Sequence, residues 1–197
     1  MEWFGNKSPQ LHEAGGTLPA IMKKLHLIIL IFTFNFGLSQ TNAEIDSLLN
    51  EIAKIENSKE IINTNEGKKI IDYGWKLLPN LSEFFTDKTE TNVKSECVGR
   101  NLTKGEIAII LADRIEGMPY AQITGIQNCL ATFCEKNMNF IEYYMDFIKS
   151  DGVENFQAKY NEWLKSDANI EWKPIFDLKS TSERKKIIKE KRKAKQK

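Results

Sequence analysis

The run from Leu102 to Phe133, LTKGEIAIILADRIEGMPYAQITGIQNCLATF, carries more apolar surface than any other stretch beyond residue 40, so the chain must fold around it. Thr103-Lys104-Gly105-Glu106 has capping-box spacing. The Thr103 hydroxyl can accept from the Glu106 amide while the Glu106 carboxylate returns to the Thr103 amide. A helix is therefore expected to start there. Ile107 to Ala112 is apolar around nearly the whole circumference, leaving Glu106, Asp113 and Glu116 as a narrow polar strip. Such a helix is buried on most sides, and it is too short to span a membrane, which takes about 20 apolar residues. Gly117 reads as a left-handed stop and Pro119 as the first turn of a second helix. That helix has Ile123, Ile126, Leu130 and Phe133 on one face, widened by Tyr120 and Cys129. Gly125 within it predicts a close crossing by a neighbouring helix.

Upstream, Met22-Lys23-Lys24, the apolar run Leu25 to Phe36, and Gly37-Leu38-Ser39 before Gln40 resemble a Sec signal peptide of Gram-negative type. The resemblance implies cleavage near Ser39-Gln40, a periplasmic or secreted protein, and no transmembrane span in the mature chain. Residues 1–21 read as an upstream extension or flexible arm, with Met22 as a natural start.

An oxidising compartment directs attention to Cys97, Cys129 and Cys134. Cys129 and Cys134, five apart, diverge by about 140° around an intact helix and cannot pair with each other there. Either Cys97 pairs with one of them, or Cys129 and Cys134 are small buried hydrophobes and Cys97 is free. No CxxC spacing supports zinc.

The rest of residues 40–178 reads as a single helical domain. Ile45, Leu48, Leu49, Ile52 and Ile55 form a one-sided stripe, and residues 57–65 are polar and broken. From Gly67 to Phe85 the helical period returns, with Pro79 expected to kink or split the helix near Leu78. The segment from Tyr73 to Asp87, YGWKLLPNLSEFFTD, resembles a helical hairpin unit of HEAT-type repeat proteins. That resemblance implies paired helices in layers, which in that family form interaction surfaces. No second copy at the expected period accompanies it. Residues 86–101 are polar without period, either a recognition loop or a plain excursion anchored by Cys97.

Phe140, Ile141, Tyr144, Met145, Phe147 and Ile148 mark another helix, and Val153, Phe156, Tyr160, Trp163 and Leu164 the next, opened by Asp151 and Glu154. These rings read as core filling, with an exposed aromatic groove as the alternative. Trp172, Pro174, Ile175, Phe176 and Leu178 read as an extended strap. Nowhere does a convincing period-two alternation appear. The fold class is accordingly all-α: a compact multi-helix bundle of paired antiparallel or orthogonal helices, with HEAT-like layers implied by the resemblance.

The formal charge of +1 conceals an asymmetry. Residues 41–182 hold 16 Lys and Arg against 23 Asp and Glu, whereas 183–197 hold 9 against 2. Ser180 to Glu183 caps this basic segment, 179–197, in which only Ile187 and Ile188 of the helix are large and apolar, so it reads as a solvated, fraying tail. The alternative is an arm whose Arg184, Lys185, Lys186, Lys191, Arg192 and Lys193 meet an anionic surface. Nucleic acid is disfavoured, because no aromatic residue interleaves to stack on bases.

His12 and His26, the only histidines, precede Gln40, so the expected mature chain has no histidine for nucleophile activation or metal ligation. Neither a P-loop nor a dinucleotide glycine pattern occurs, and no cofactor or metal is expected. Asp113 and Glu116, beside Arg114, with Glu106 about two to three turns away, are the remaining candidates for acid/base work. A helix-ending ion pair is the plainer reading of them. The function expected is an exported interaction module with another protein as partner. The alternatives are a carboxylate-dependent hydrolase of cell-wall or glycan polymer and a toxin-neutralising, immunity-like protein.

Overall fold

A computed structural model describes residue 1 and residues 42–126, 134, 137–174 and 177–196. The signal-peptide segment, Leu130, Phe133, Cys129, Ile175 and Phe176 lie outside these, as does Thr41. Helix α1 covers 42–52. A 3₁₀ segment, Ser58–Asn63, precedes α2, Asn65–Asp72, which Thr64 caps through the Gly67 amide. A second 3₁₀ segment, Gly74–Leu77, leads into α3, Leu78–Ser82. Strands β1, Glu90–Ser95, and β2, Arg100–Thr103, form an antiparallel pair. Helices α4, Lys104–Ile115, and α5, Tyr120–Thr124, follow. Beyond them lie a 3₁₀ segment, Phe140–Tyr144, then α6, Met145–Asp151, α7, Val153–Lys165, α8, Asp167–Ile170, and α9, Thr181–Lys195.

Helix α4 is the axis of the core. Ile107 through Ala112 and Ile115 are each no more than 1% exposed. The expected capping box is present, with the Glu106 amide donating to Thr103 Oγ1 at 3.2 Å and the Thr103 amide to Glu106 Oε2 at 2.8 Å. Around α4 pack α2, α3 and the 3₁₀ segments at 58–63 and 140–144. Full burial of each branched aliphatic contributes roughly 1.5–3 kcal/mol, so the helix is held by tertiary packing. The rings of Phe85, Phe156, Tyr160 and Trp163 form a chain of contacts within the same core, with centroids 5.1 Å apart for Phe85 and Tyr160 and 5.5 Å for Tyr160 and Trp163. Core filling is the correct account of the α7 aromatics.

The body is mostly helical, but four expectations of detail are corrected. Residues 90–103 form a hairpin. In β1, Thr91, Val93 and Ser95 point inward and their neighbours outward. The alternation escapes a hydrophobicity pattern because two of three inward positions are polar. Their hydroxyls are satisfied inside, Thr91 Oγ1 donating to the Leu102 carbonyl at 2.6 Å and Ser95 Oγ to Glu142.

The helical stretch 67–85 breaks at Gly74, whose φ of 69° is left-handed. Pro79 then sits in the first turn of α3, where its missing N–H costs nothing, so of the kink or split expected near Leu78 the chain shows the split, with a new helix opening there. Gly125, at φ 71°, ends α5 after five residues, and an added Cβ would meet open space. Among the described residues no crossing occurs there. The close approach is at Gly117 instead, where a Cβ would lie 2.8 Å from Pro174 Cβ. Gly117 is not left-handed, and α4 ends through an extended Glu116.

Candidate functional site

The corner between α4 and α5 forms one wall of a groove of about 270 Å³. Met118, Pro119 and Tyr120 come from this corner, Phe140 and Tyr144 from the segment ahead of α6, and Trp172 and Pro174 from the strap. Tyr120 stacks on Tyr144 with ring centroids 5.0 Å apart and planes within 10°. Trp172 Nε1 donates to the Gly117 carbonyl at 2.6 Å, which ties the strap to the corner. Met138 and Leu178, 53% and 58% exposed, complete the apolar rim.

The sequence candidates separate here. Asp113 accepts from the Met118 amide at 2.9 Å and from the Tyr120 hydroxyl at 2.7 and 2.8 Å. Burial pushes its carboxyl up to about 6, against the opposing pull of those two donors and Arg114. Burial also drives the Tyr120 hydroxyl far above its ordinary range. Glu116 is 2% exposed and has both oxygens committed, Oε1 to Arg184 Nη1 at 2.9 Å and Oε2 to Lys191 Nζ at 2.7 Å. Glu106 lies at the far end of α4, held by Arg100 at 2.6 and 2.8 Å. The three carboxylates thus do not form one cluster. Among the described residues no group of three or more His, Cys, Asp or Glu is arranged to hold a metal ion.

The basic segment is docked. Arg184 and Lys191 are each 5% exposed. Arg184 also forks onto Asp177, Nε and Nη2 donating at 2.7 Å each, which holds the Asp177 carboxyl below its usual range. Lys191 Nζ adds bonds to the backbone and side-chain oxygens of Asn169 at 3.1 and 2.8 Å. The expectation of a solvated, fraying tail is corrected for these two residues: buried ion pairs supply what its few apolar residues cannot. Lys185, Lys186 and Lys193 stay exposed, and the exposed Arg192 pairs with Glu171 at 2.5 Å.

No protein-family model, curated protein or solved structure matches this chain. Its site must be read from its own geometry.

A second polar feature lies away from the groove. Glu142, 1% exposed, accepts from Ser58 Oγ at 3.0 Å, Asn137 Nδ2 at 3.0 Å, Asn139 Nδ2 at 3.1 Å and Ser95 Oγ. A buried carboxylate whose donors among the described residues are all neutral knits four segments together. Beside it Cys97 and Cys134 form a disulfide with Cα atoms 5.4 Å apart. This selects Cys134 from the two partners that spacing left open. Sequence reasoning missed the Glu142 cluster, whose members are spread over 84 residues. It also missed the groove as assembled, because its walls come from three separate stretches. Only the aromatic density near residue 140 pointed to it.

Proposed function

We propose that the protein is an exported helical interaction module that receives an apolar segment of a partner protein in the groove between Met118, Tyr144 and Trp172. The observation that carries this reading is the groove's composition and size. It is aromatic-walled, rimmed by exposed Met138 and Leu178, and at about 270 Å³ falls below the roughly 300–1,000 Å³ of pockets for drug-sized ligands. One or two side chains match it; a polymer chain of sugars does not. Packing of α3 against both α4 and α7 supports the finer proposal of HEAT-like paired layers. A toxin bound for neutralisation would be one such partner.

The hydrolase reading has one specific observation in its favour, the raised Asp113 carboxyl. It needs a second available carboxylate, and Glu116 and Glu106 are both held by cations at two oxygens or by cation and cap together.

Selection of displayed peptides on the full chain tests the interaction reading, with Ala121→Trp as the blocked control. Ala121 is exposed on the groove wall, so the bulk of Trp fills the groove without entering the core. Enriched peptides should bind the parent and lose binding to the variant. Peptides that bind both equally would remove the groove from the function.

A further inference from the structure

Packing divides the cations of α9 between two sides. Arg184 and Lys191 turn inward onto Glu116, and the partly buried Ile187 and Ile188 share that side of the helix. Lys185, Lys186, Lys189, Arg192 and Lys193 are all exposed. At about 100° and 1.5 Å per residue these five fall within an arc of about 120° and cover about 12 Å of helix. The two acids of α9 lie outside that arc. Glu183 is folded back into the cap, and Glu190 accepts from Trp75 Nε1 at 3.5 Å. Arg192 is spent on Glu171, while the four lysine side chains form no ion pair or hydrogen bond among the described residues. The outward face is therefore a row of ammonium groups with neither an acid nor an apolar residue among them.

This chemistry narrows the partner. The cores of protein interfaces are depleted in Lys and enriched in aromatic residues, Met and Arg. Nucleic acid is gripped by stacking aromatics or read by forked Arg, and the face offers neither. A lysine cluster on one side of a helix suits a sheet of many interchangeable phosphates, where point charges need no fixed geometry. We propose that α9 adsorbs the protein onto an anionic phospholipid surface through Lys185, Lys186, Lys189 and Lys193, lying on the headgroups without inserting. The body supplies the orientation. Residues 41–182 hold 16 Lys and Arg against 23 Asp and Glu, so they are repelled and α9 leads the approach.

The probes are vesicles of phosphatidylcholine, with and without about a third phosphatidylglycerol, sedimented with the full chain at low and at physiological salt. The anionic vesicles should take up the protein tenfold or more over the neutral ones, which measure whatever the apolar run Leu25 to Phe36 contributes by itself. Added salt should reduce that preference. Lys185→Gln with Lys189→Gln should lose roughly fivefold in partition for each charge removed. Its thermal midpoint should stay within about a degree of the parent, since both side chains are exposed. Lys68→Gln with Lys94→Gln removes the same charge from exposed positions on α2 and β1 and should change binding little. Equal uptake by both kinds of vesicle, equal losses in the two double variants, or tighter binding per phosphate to a short DNA duplex than to the anionic vesicles would each overturn the proposal. The groove and the outward face of α9 are tested by different probes, so either can fail alone.

Discussion

Glu116 and Lys191, 75 positions apart in sequence, meet at 2.7 Å with side chains 1% and 5% exposed. Together with Arg184 on the other carboxylate oxygen, this pair seats α9 against the end of α4. Lys191 Nζ also stands 5.9 Å from the Trp75 ring centroid, close enough for a cation–π contribution.

Removing Glu116 should therefore be costly. Glu116→Ala leaves two buried cations with reduced compensation, and breaking a buried pair in this way costs roughly 3–5 kcal/mol. Denaturant midpoints measure the loss, and limited proteolysis within 179–197 should accelerate. Added salt should change the parent little, because buried pairs are weakly screened. A loss comparable to that of an exposed ion pair, under about 1 kcal/mol, would show that α9 is seated by something else.

Asp113 makes a pH-dependent prediction with a definite sign. Its folded carboxyl titrates at about 6 against an ordinary value of 3.8. Below the lower value it is protonated in both states and contributes nothing. Between the two the native state holds the proton more tightly, and above about 6 the folded chain bears the full cost of a buried charge. Asp113→Asn keeps an acceptor for the Met118 amide and the Tyr120 hydroxyl without that charge. The variant should match the parent near pH 4 and exceed it above pH 6, by at most about 2–3 kcal/mol. Urea midpoints at pH 4, 5.5 and 7.5 provide the check. A constant difference across that range would deny the raised pKa.

Gly105 sits in the first turn of α4, where helix propensity alone predicts that Ala gains about 0.5–1 kcal/mol. Tertiary structure predicts the opposite. A Cβ would lie 2.3 Å from the Phe85 carbonyl oxygen and 2.9 Å from that of Asp87, the acceptor of the Gly105 amide. Backbone at such distances must shift, so Gly105→Ala should lose about 1–3 kcal/mol, in the range of overpacked cores. A raised thermal midpoint would contradict the approach of this backbone to α4.

The Cys97–Cys134 bridge spans 37 positions. On loop-closure entropy, removing such a bridge costs roughly 3–4 kcal/mol. Cys97→Ser with Cys134→Ser, compared with the parent under oxidising conditions, should show a loss of this size, and the two proteins should converge once the parent is reduced. The bridge also fixes one end of the segment that delivers Asn137 and Asn139 to Glu142 and Met138 and Phe140 to the groove. Peptide binding is accordingly expected to weaken in the double variant.

How far the sequence could be read follows from where each signal resides. The α4 capping box and the apolar run after it are local, with donors and acceptors three residues apart, so they were legible in full. The same holds for the Ser180 cap of α9, whose Glu183 returns to the Ser180 amide at 2.8 Å. The β1 strand was hidden because its inward Ser95 and Thr91 are stabilised by partners that only folding supplies. Pro79 and Gly125 show the limit from another side. Proline opens a helix or breaks one, and glycine ends a helix or admits a neighbour, according to what lies beside it.

By itself the sequence determined a mostly helical body, its central helix and the caps that start two of its helices, because periodicity and capping act within a turn or two of chain. Only the tertiary structure decided the fate of its charges. Composition set an acidic body against a basic end, and packing then buried Arg184 and Lys191 on Glu116. The Coulomb energy of a pair depends on its distance and its exclusion from water. Neither quantity is written in the order of residues.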